Sequence, residues 1–77
     1  MNMHYLKRYC QEKINEYPTL KEDIADLYYL ANDEIEQGGS EMHETDLAIE
    51  SINQLIEDYL EKIKDLELEL KQLKGEL

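Results

Sequence analysis

Apolar residues recur every three or four positions in three separate runs, the period of a helix with one buried face. In the first run Leu6, Cys10, Ile14 and Tyr17 share a stripe, with Lys7, Arg8 and Lys13 elsewhere on the surface. The spacing predicts a helix over about residues 3–16, within a unit taken as 1–17. Pro18 stops it, because the residue before a proline is pushed out of the α region. The second run, Leu20, Ile24, Leu27, Tyr28, Ala31 and Ile35, predicts helix two over 19–37. Thr19-Leu20-Lys21-Glu22 has the form of a capping box, in which hydroxyl and carboxylate each reach the other residue's amide. Gly38-Gly39 closes this helix, one glycine taking the left-handed cap conformation. Ser40 then caps helix three, with Glu41 and Glu44 in a first turn whose dipole favours negative charge. So short a link predicts an antiparallel hairpin of helices two and three.

The third run is the longest. With Ile49 at heptad position a, the a series is Ile49, Ile56, Ile63, Leu70 and Leu77, and the d series is Ile52, Tyr59, Leu66 and Leu73. The helix is expected over 41–75, roughly 50 Å at 1.5 Å per residue, and a helix of that length with no internal breaker calls for a partner chain. A parallel pair sets each g residue against the e residue five positions on in the other chain. Lys62 then meets Glu67 and Glu69 meets Lys74, both attractive, while Leu55 meets Leu60. Ile at a with Leu at d leans the same way, although the pattern leaves a trimer or an antiparallel pair open. The apolar face is wide near Leu47, Ala48, Leu55 and Leu60 and then narrows to a and d, as expected of a helical head on a bare stem. The chain is therefore read as one all-α domain, 1–77: a short N-terminal helix, an antiparallel helical hairpin, and a long third helix continuing into a parallel dimeric coiled coil over 60–77. The expected interface between copies is Ile49, Ile52, Ile56, Tyr59, Ile63, Leu66, Leu70 and Leu73.

Composition supports this reading. With 77 residues, a single core contributes little and association is a common remedy. The lone Cys10 rules out an intramolecular disulfide and fits a reducing compartment. No apolar run approaches a membrane span, and the N-terminus lacks the apolar stretch of a signal peptide. The expected location is the cytoplasm, with no membrane association.

Charge adds a functional clue. The net charge is −11 and is unevenly spread: from Glu22 to Asp58 there are twelve carboxylates and no Lys or Arg. Such a segment is pushed away from nucleic acid and drawn to basic surfaces. The expected partner-binding surface is Asp26, Asp33, Glu34, Glu44, Glu50, Glu57 and Asp58, the α3 members at outward b or c positions. No direct nucleic-acid binding is expected.

Candidate chemistry is thin. Ser40, His43 and Asp46 fall within two turns of one helix and cannot form a nucleophile–base–orienter set. They read as a cap and first-turn polar residues. His43 with Glu36, Glu44 or Asp46 makes a poor metal site. Lys7 and Lys13 flank Cys10 by one turn and would lower its pKa if they faced it, but a small apolar residue on the inner face is the simpler reading. Tyr28 and Tyr59 lie on core stripes, whereas Tyr5, Tyr9 and Tyr29 fall partly off them, where tyrosine often serves as an interface anchor. No enzyme activity, cofactor or metal is expected.

The run Asp33-Glu34-Ile35-Glu36-Gln37-Gly38-Gly39-Ser40-Glu41-Met42-His43-Glu44 resembles a stretch of small uncharacterised acidic helical accessory proteins of tailed bacteriophages. The resemblance covers about residues 20–58 and implies an accessory protein that modulates a host process, with no catalytic residues to carry over, acting in the host cytoplasm.

Three functions are open at this point. The first is a homodimeric, non-enzymatic protein-binding module whose acidic head docks on a basic partner, in sharper form a phage-encoded inhibitor of a host nucleic-acid-binding or defence protein. The second is a structural or assembly protein acting as a coiled-coil dimerisation element. The third is a small-ligand sponge between protomers, using exposed tyrosines with Lys7, Arg8 and Lys13.

Overall fold

The computed structural model describes residues 2–76, with side chains described over 4–75; Met1, and Leu77 of the a series, lie outside them. The described chain is all-helical: α1 (Asn2–Glu16), a 3-10 turn (Pro18–Leu20), α2 (Lys21–Glu36) and α3 (Glu41–Glu76). Among the described residues no helix is long and apolar enough to cross a membrane.

Pro18 ends α1 as its chemistry requires, with Tyr17 at φ −130°, ψ 71°, outside the helical region. The chain then tightens rather than opening. The Leu20 amide donates to the Tyr17 carbonyl at 2.9 Å and the Lys21 amide to the Pro18 carbonyl. Leu20, buried at 6% exposure, pins this turn to the core. The capping box expected at Thr19–Glu22 is therefore not formed. Leu20 is the N-cap of α2 and no side chain caps it, because Thr19 sits inside the 3-10 turn, one residue too early to reach the first free amides.

The second connection follows the sequence closely. Gly38 adopts φ +103°, its amide donates to the Ile35 carbonyl at 3.1 Å, and the Gly39 amide donates to the Glu34 carbonyl at 2.8 Å. This is the Schellman closure, which satisfies carbonyls the helix end would leave orphaned. A Cβ on Gly39 would stand 2.8 Å from the Glu34 oxygen, so glycine is required there by close approach and at Gly38 by backbone angle. Ser40 Oγ accepts from the His43 amide at 3.4 Å, a long N-cap bond. The connection spans 37–40, slightly longer than expected, and folds α2 back antiparallel to α3.

The third helix of the head is α1. The Tyr9 hydroxyl donates to Oδ1 of Asn53, and the Tyr17 and Tyr59 rings meet edge to face with centroids 6.2 Å apart. Contacts rising together in both helices show that α1 runs parallel to α3 and antiparallel to α2. The core of this up-down-up bundle is Leu6, Cys10, Leu20, Ile24, Ala31, Ala48, Ile52 and Ile56; Leu6, Ile24 and Ile52 are fully enclosed. Tyr9, Ile14, Tyr17, Leu27, Tyr28, Ile49, Leu55 and Tyr59 pack around it, half-buried.

The head ends near Ile63, which is half-buried, and every described side chain from Lys64 onward is exposed. The stem therefore begins about one turn later than the apolar pattern suggests; just below it Tyr17, the residue after α1, packs edge to face on Tyr59. Since α3 alone spans about 54 Å at 1.5 Å per residue, it sets the long axis of a molecule measuring 58 × 18 × 15 Å.

Candidate interaction surfaces

The heptad seam divides between two environments. Ile52 and Ile56, at 0% and 7% exposure, are enclosed by α1 and α2 of their own chain. Ile49, Tyr59 and Ile63 are half-buried. Leu66, Leu70 and Leu73 stand open, each more than half exposed. The surface available to another helix along this line is thus the stem, Ile63 to Leu73, and not the seam as a whole. Leu68, at the f position, is also more than half exposed, so the apolar face beyond Leu60 is not confined to a and d. A single helix with such a stripe has no tertiary packing to hold it and is marginal in water.

The acidic residues are carried mainly on the outside of the hairpin. Asp26, Asp33, Glu34, Glu50, Glu57 and Asp58 are exposed. Asp26 and Asp33 lie two turns apart on one face of α2, and Asp58 accepts from the Gln54 side-chain amide at 3.0 Å. Glu44 departs from the outward position expected for it. It is half-buried, folded over the turn so that its Cγ lies 3.3 Å from where a Gly39 Cβ would stand.

Glu44 and Glu34 are brought together across the open side of the hairpin. They line a groove of about 350 Å³ whose other walls are Leu27, Leu30, Ala31, Leu47, Ala48 and Ser51. Leu30 and Leu47 are 59% and 43% exposed. Sequence reasoning placed Leu47 on a widened apolar face and missed Leu30. The available signal was a leucine off the core stripe within an otherwise acidic segment.

A smaller groove of about 160 Å³ lies between α1 and α2, lined by Lys7, Cys10, Gln11, Ile14, Ala25, Tyr28 and Tyr29. The Tyr28 and Tyr29 rings meet edge to face at 5.6 Å between centroids. Tyr5 and Tyr29 are exposed, whereas Tyr9 is half-buried. Lys13 Nζ sits 5.5 Å from the centre of the Tyr9 ring and 3.3 Å from Glu16 Oε2; the hydrogen bond to Glu16 raises its pKa above the ordinary lysine value.

Cys10 belongs to the core at 4% exposure. Burial pushes its thiol from an ordinary 9.0 up to about 11, opposite to the depression that flanking lysines would cause. Lys7 is exposed and Lys13 is engaged with Glu16, so neither charge stabilises a thiolate. His43 is exposed, and among the described residues no group of three His, Cys, Asp or Glu side chains converges as metal ligands would.

Fold and surfaces define a class: an all-helical chain with a closed three-helix head, an acidic hairpin face and a projecting amphipathic helix. Comparison with protein-family models, curated proteins and solved structures gives no match.

Proposed function

We propose that this chain is a non-enzymatic protein-binding module that pairs with a second copy through its stem and docks its acidic hairpin on a basic surface of another protein. The observation that carries the reading is charge: twelve carboxylates without one Lys or Arg between Glu22 and Asp58, ten of them exposed along the two helices of the hairpin. Self-repulsion on this scale works against the compact state, so its retention favours a task that needs it. The natural target is a groove that otherwise holds a nucleic-acid backbone. Together with the likeness of residues 33–44 to phage accessory proteins, this points to an inhibitor or modulator of a host nucleic-acid-binding or defence protein.

The test is competitive retention. Immobilised protein is challenged with the nucleic-acid-binding proteins of a bacterial cytoplasm, identified by mass spectrometry, with and without duplex DNA. Basic proteins should be retained and released by DNA, or by about 0.3 M salt, where the screening length falls to roughly 6 Å. A variant carrying E50Q, E57Q, D58N and E34Q should retain much less. Retention indifferent to salt, DNA and these substitutions would leave charge with no role in the interaction.

The bare stem supports a second reading, an assembly element whose leucines matter and whose acids do not. In that case the same four substitutions leave activity intact, while Leu66→Ser with Leu70→Ser abolishes it.

A further inference from the structure

The stem has an apolar stripe with no cover, and the position of the head restricts what can cover it. The buried residues of α3 inside the head are Thr45, Ala48, Ile52 and Ile56, at heptad positions d, g, d and a. The stem stripe of Ile63, Leu66, Leu70 and Leu73 continues on that same side of the helix. Helices α1 and α2 therefore occupy the very side of α3 on which a second α3 would lie.

Two parallel chains joined at their stems bring two such heads together face to face. Neighbouring helix axes stand about 8–10 Å apart, so interposing both α1/α2 layers would hold the two α3 axes roughly 25 Å apart beside the heads. Paired stems need about 9 Å between axes. A straight α3 cannot meet both requirements within the single turn between Tyr59 and Ile63. The parallel pair opens into a V that touches at one level.

We infer that two copies of this chain pair through their stems in antiparallel order, each stem ending at the base of the other copy's head. This rests on the stem pairing proposed above and fixes its orientation. The stem from Lys64 to Glu76 is about 20 Å long at 1.5 Å per residue. In the register that aligns the two stripes, Ile63 stacks on Leu73 of the second copy and Leu66 on Leu70, with the same two layers repeated by symmetry, and the two head bases lie about 15 Å apart along the axis, so that only the last turn of each stem reaches the other head. Every layer then sets an a residue against a d residue. A second copy fits this stripe because it is complementary to its own reverse, every layer pairing an a with a d residue.

Charge opposes this order and decides less. In the antiparallel register Glu67 faces Glu67 and Glu69 faces Glu69 across the two-fold axis, whereas the parallel order would pair Lys62 with Glu67 and Glu69 with Lys74. Exposed pairs of this kind each change a dimer constant by about twofold. Overlap of the two heads in the parallel order weighs more heavily than these pairs.

The opposing preferences make the orientation measurable. Gly75→Cys places a spin label at the stem tip, where an added Cβ meets nothing within 4 Å; Cys10, buried and with its thiol pushed up to about 11, stays unlabelled in the folded chain. At a concentration where light scattering reports two chains, electron–electron distances should centre at roughly 20 Å or more, against about 10 Å for a parallel pair. E67Q with E69Q, in the unlabelled chain, should tighten the dimer about two- to fivefold, whereas it would weaken a parallel dimer. A short tip-to-tip distance, or weakening by the double substitution, overturns the antiparallel order and leaves stem pairing standing. A single chain at every concentration overturns both.

Discussion

Replacing Ile52 by alanine tests which helices close over the seam of α3. Ile52 is fully enclosed where the three helices meet. Removing its three outer carbons forfeits about 2.5 kcal/mol of transfer free energy at about 0.8 kcal/mol per carbon. The cavity left behind adds about 1–2 kcal/mol, since the surrounding side chains relax only in part. Alanine's higher helix propensity returns roughly 0.4 kcal/mol. The net cost is about 3–4 kcal/mol, a large share of the roughly 4–12 kcal/mol expected for a chain of this size. It should lower the melting temperature by about 15–25 °C. Leu70→Ala is the contrasting case. Leu70 is 57% exposed on the stem, so within one chain the change should cost no more than about 0.5 kcal/mol. Urea melts followed by helical circular dichroism, run at two protein concentrations tenfold apart, separate the two sites. The Ile52→Ala cost should be the same at both concentrations, and the Leu70→Ala cost should grow at the higher one if stems pair. An Ile52→Ala cost below about 1 kcal/mol, or one that rises with concentration, would falsify the claim that α1 and α2 of the same chain cover this residue.

Three further outcomes follow from single features. The Thr45 hydroxyl is buried with no hydrogen-bond partner, so Thr45→Val should stabilise the chain by about 1 kcal/mol in the same melts, the unpaired oxygen being worse than a methyl. Gly39→Ala should destabilise by about 1–3 kcal/mol, because its Cβ would stand 2.8 Å from the Glu34 carbonyl oxygen; the effect should exceed that of Gly38→Ala, where only the backbone angle resists. Cys10 should resist alkylation at about pH 8 until the chain is unfolded. Its folded pKa is raised from 9.0 to about 11, so above pH 9.0 the unfolded chain loses this proton while the folded chain keeps it. Stability from this group is intact below pH 9.0 and declines as pH climbs toward 11, by up to about 2 kcal/mol; Cys10→Ala should flatten that part of the pH profile.

The first two helices were legible because each has a chemical stop. Pro18 and the Gly38-Gly39 pair act through local sterics that no tertiary context overrides, and the left-handed Gly38 and the Ser40 cap stand where the sequence places them. Thr19 misled because a capping box and a 3-10 turn draw on the same residue types. Which one forms depends on whether Leu20 is drawn into the core, a long-range fact. The heptads of α3 were equally clear, but an a/d stripe records only that something apolar lies against it. Whether the cover is a second chain or α1 and α2 turns on three-dimensional proximity, and the structure gives Ile52 and Ile56 to their own chain. The exposed acids Asp26, Asp33, Glu34, Glu50, Glu57 and Asp58 were readable from helical phase. Glu44 was not, because the tight turn tucks it against Gly39. The groove beside it was invisible because Leu30 and Leu47 lie on different helices and become neighbours only when the hairpin closes.

Because the head encloses its own half of the seam, its folding does not wait on any encounter with another molecule. A bundle of three neighbouring helices, joined by short turns and stitched mostly by nearby residues, closes on the scale of microseconds to milliseconds, about as fast as chain topology permits. It needs no second molecule to do so. Stem pairing as proposed above would then join heads that are already closed, and the amount of protein present, not its capacity to fold, would set when it happens.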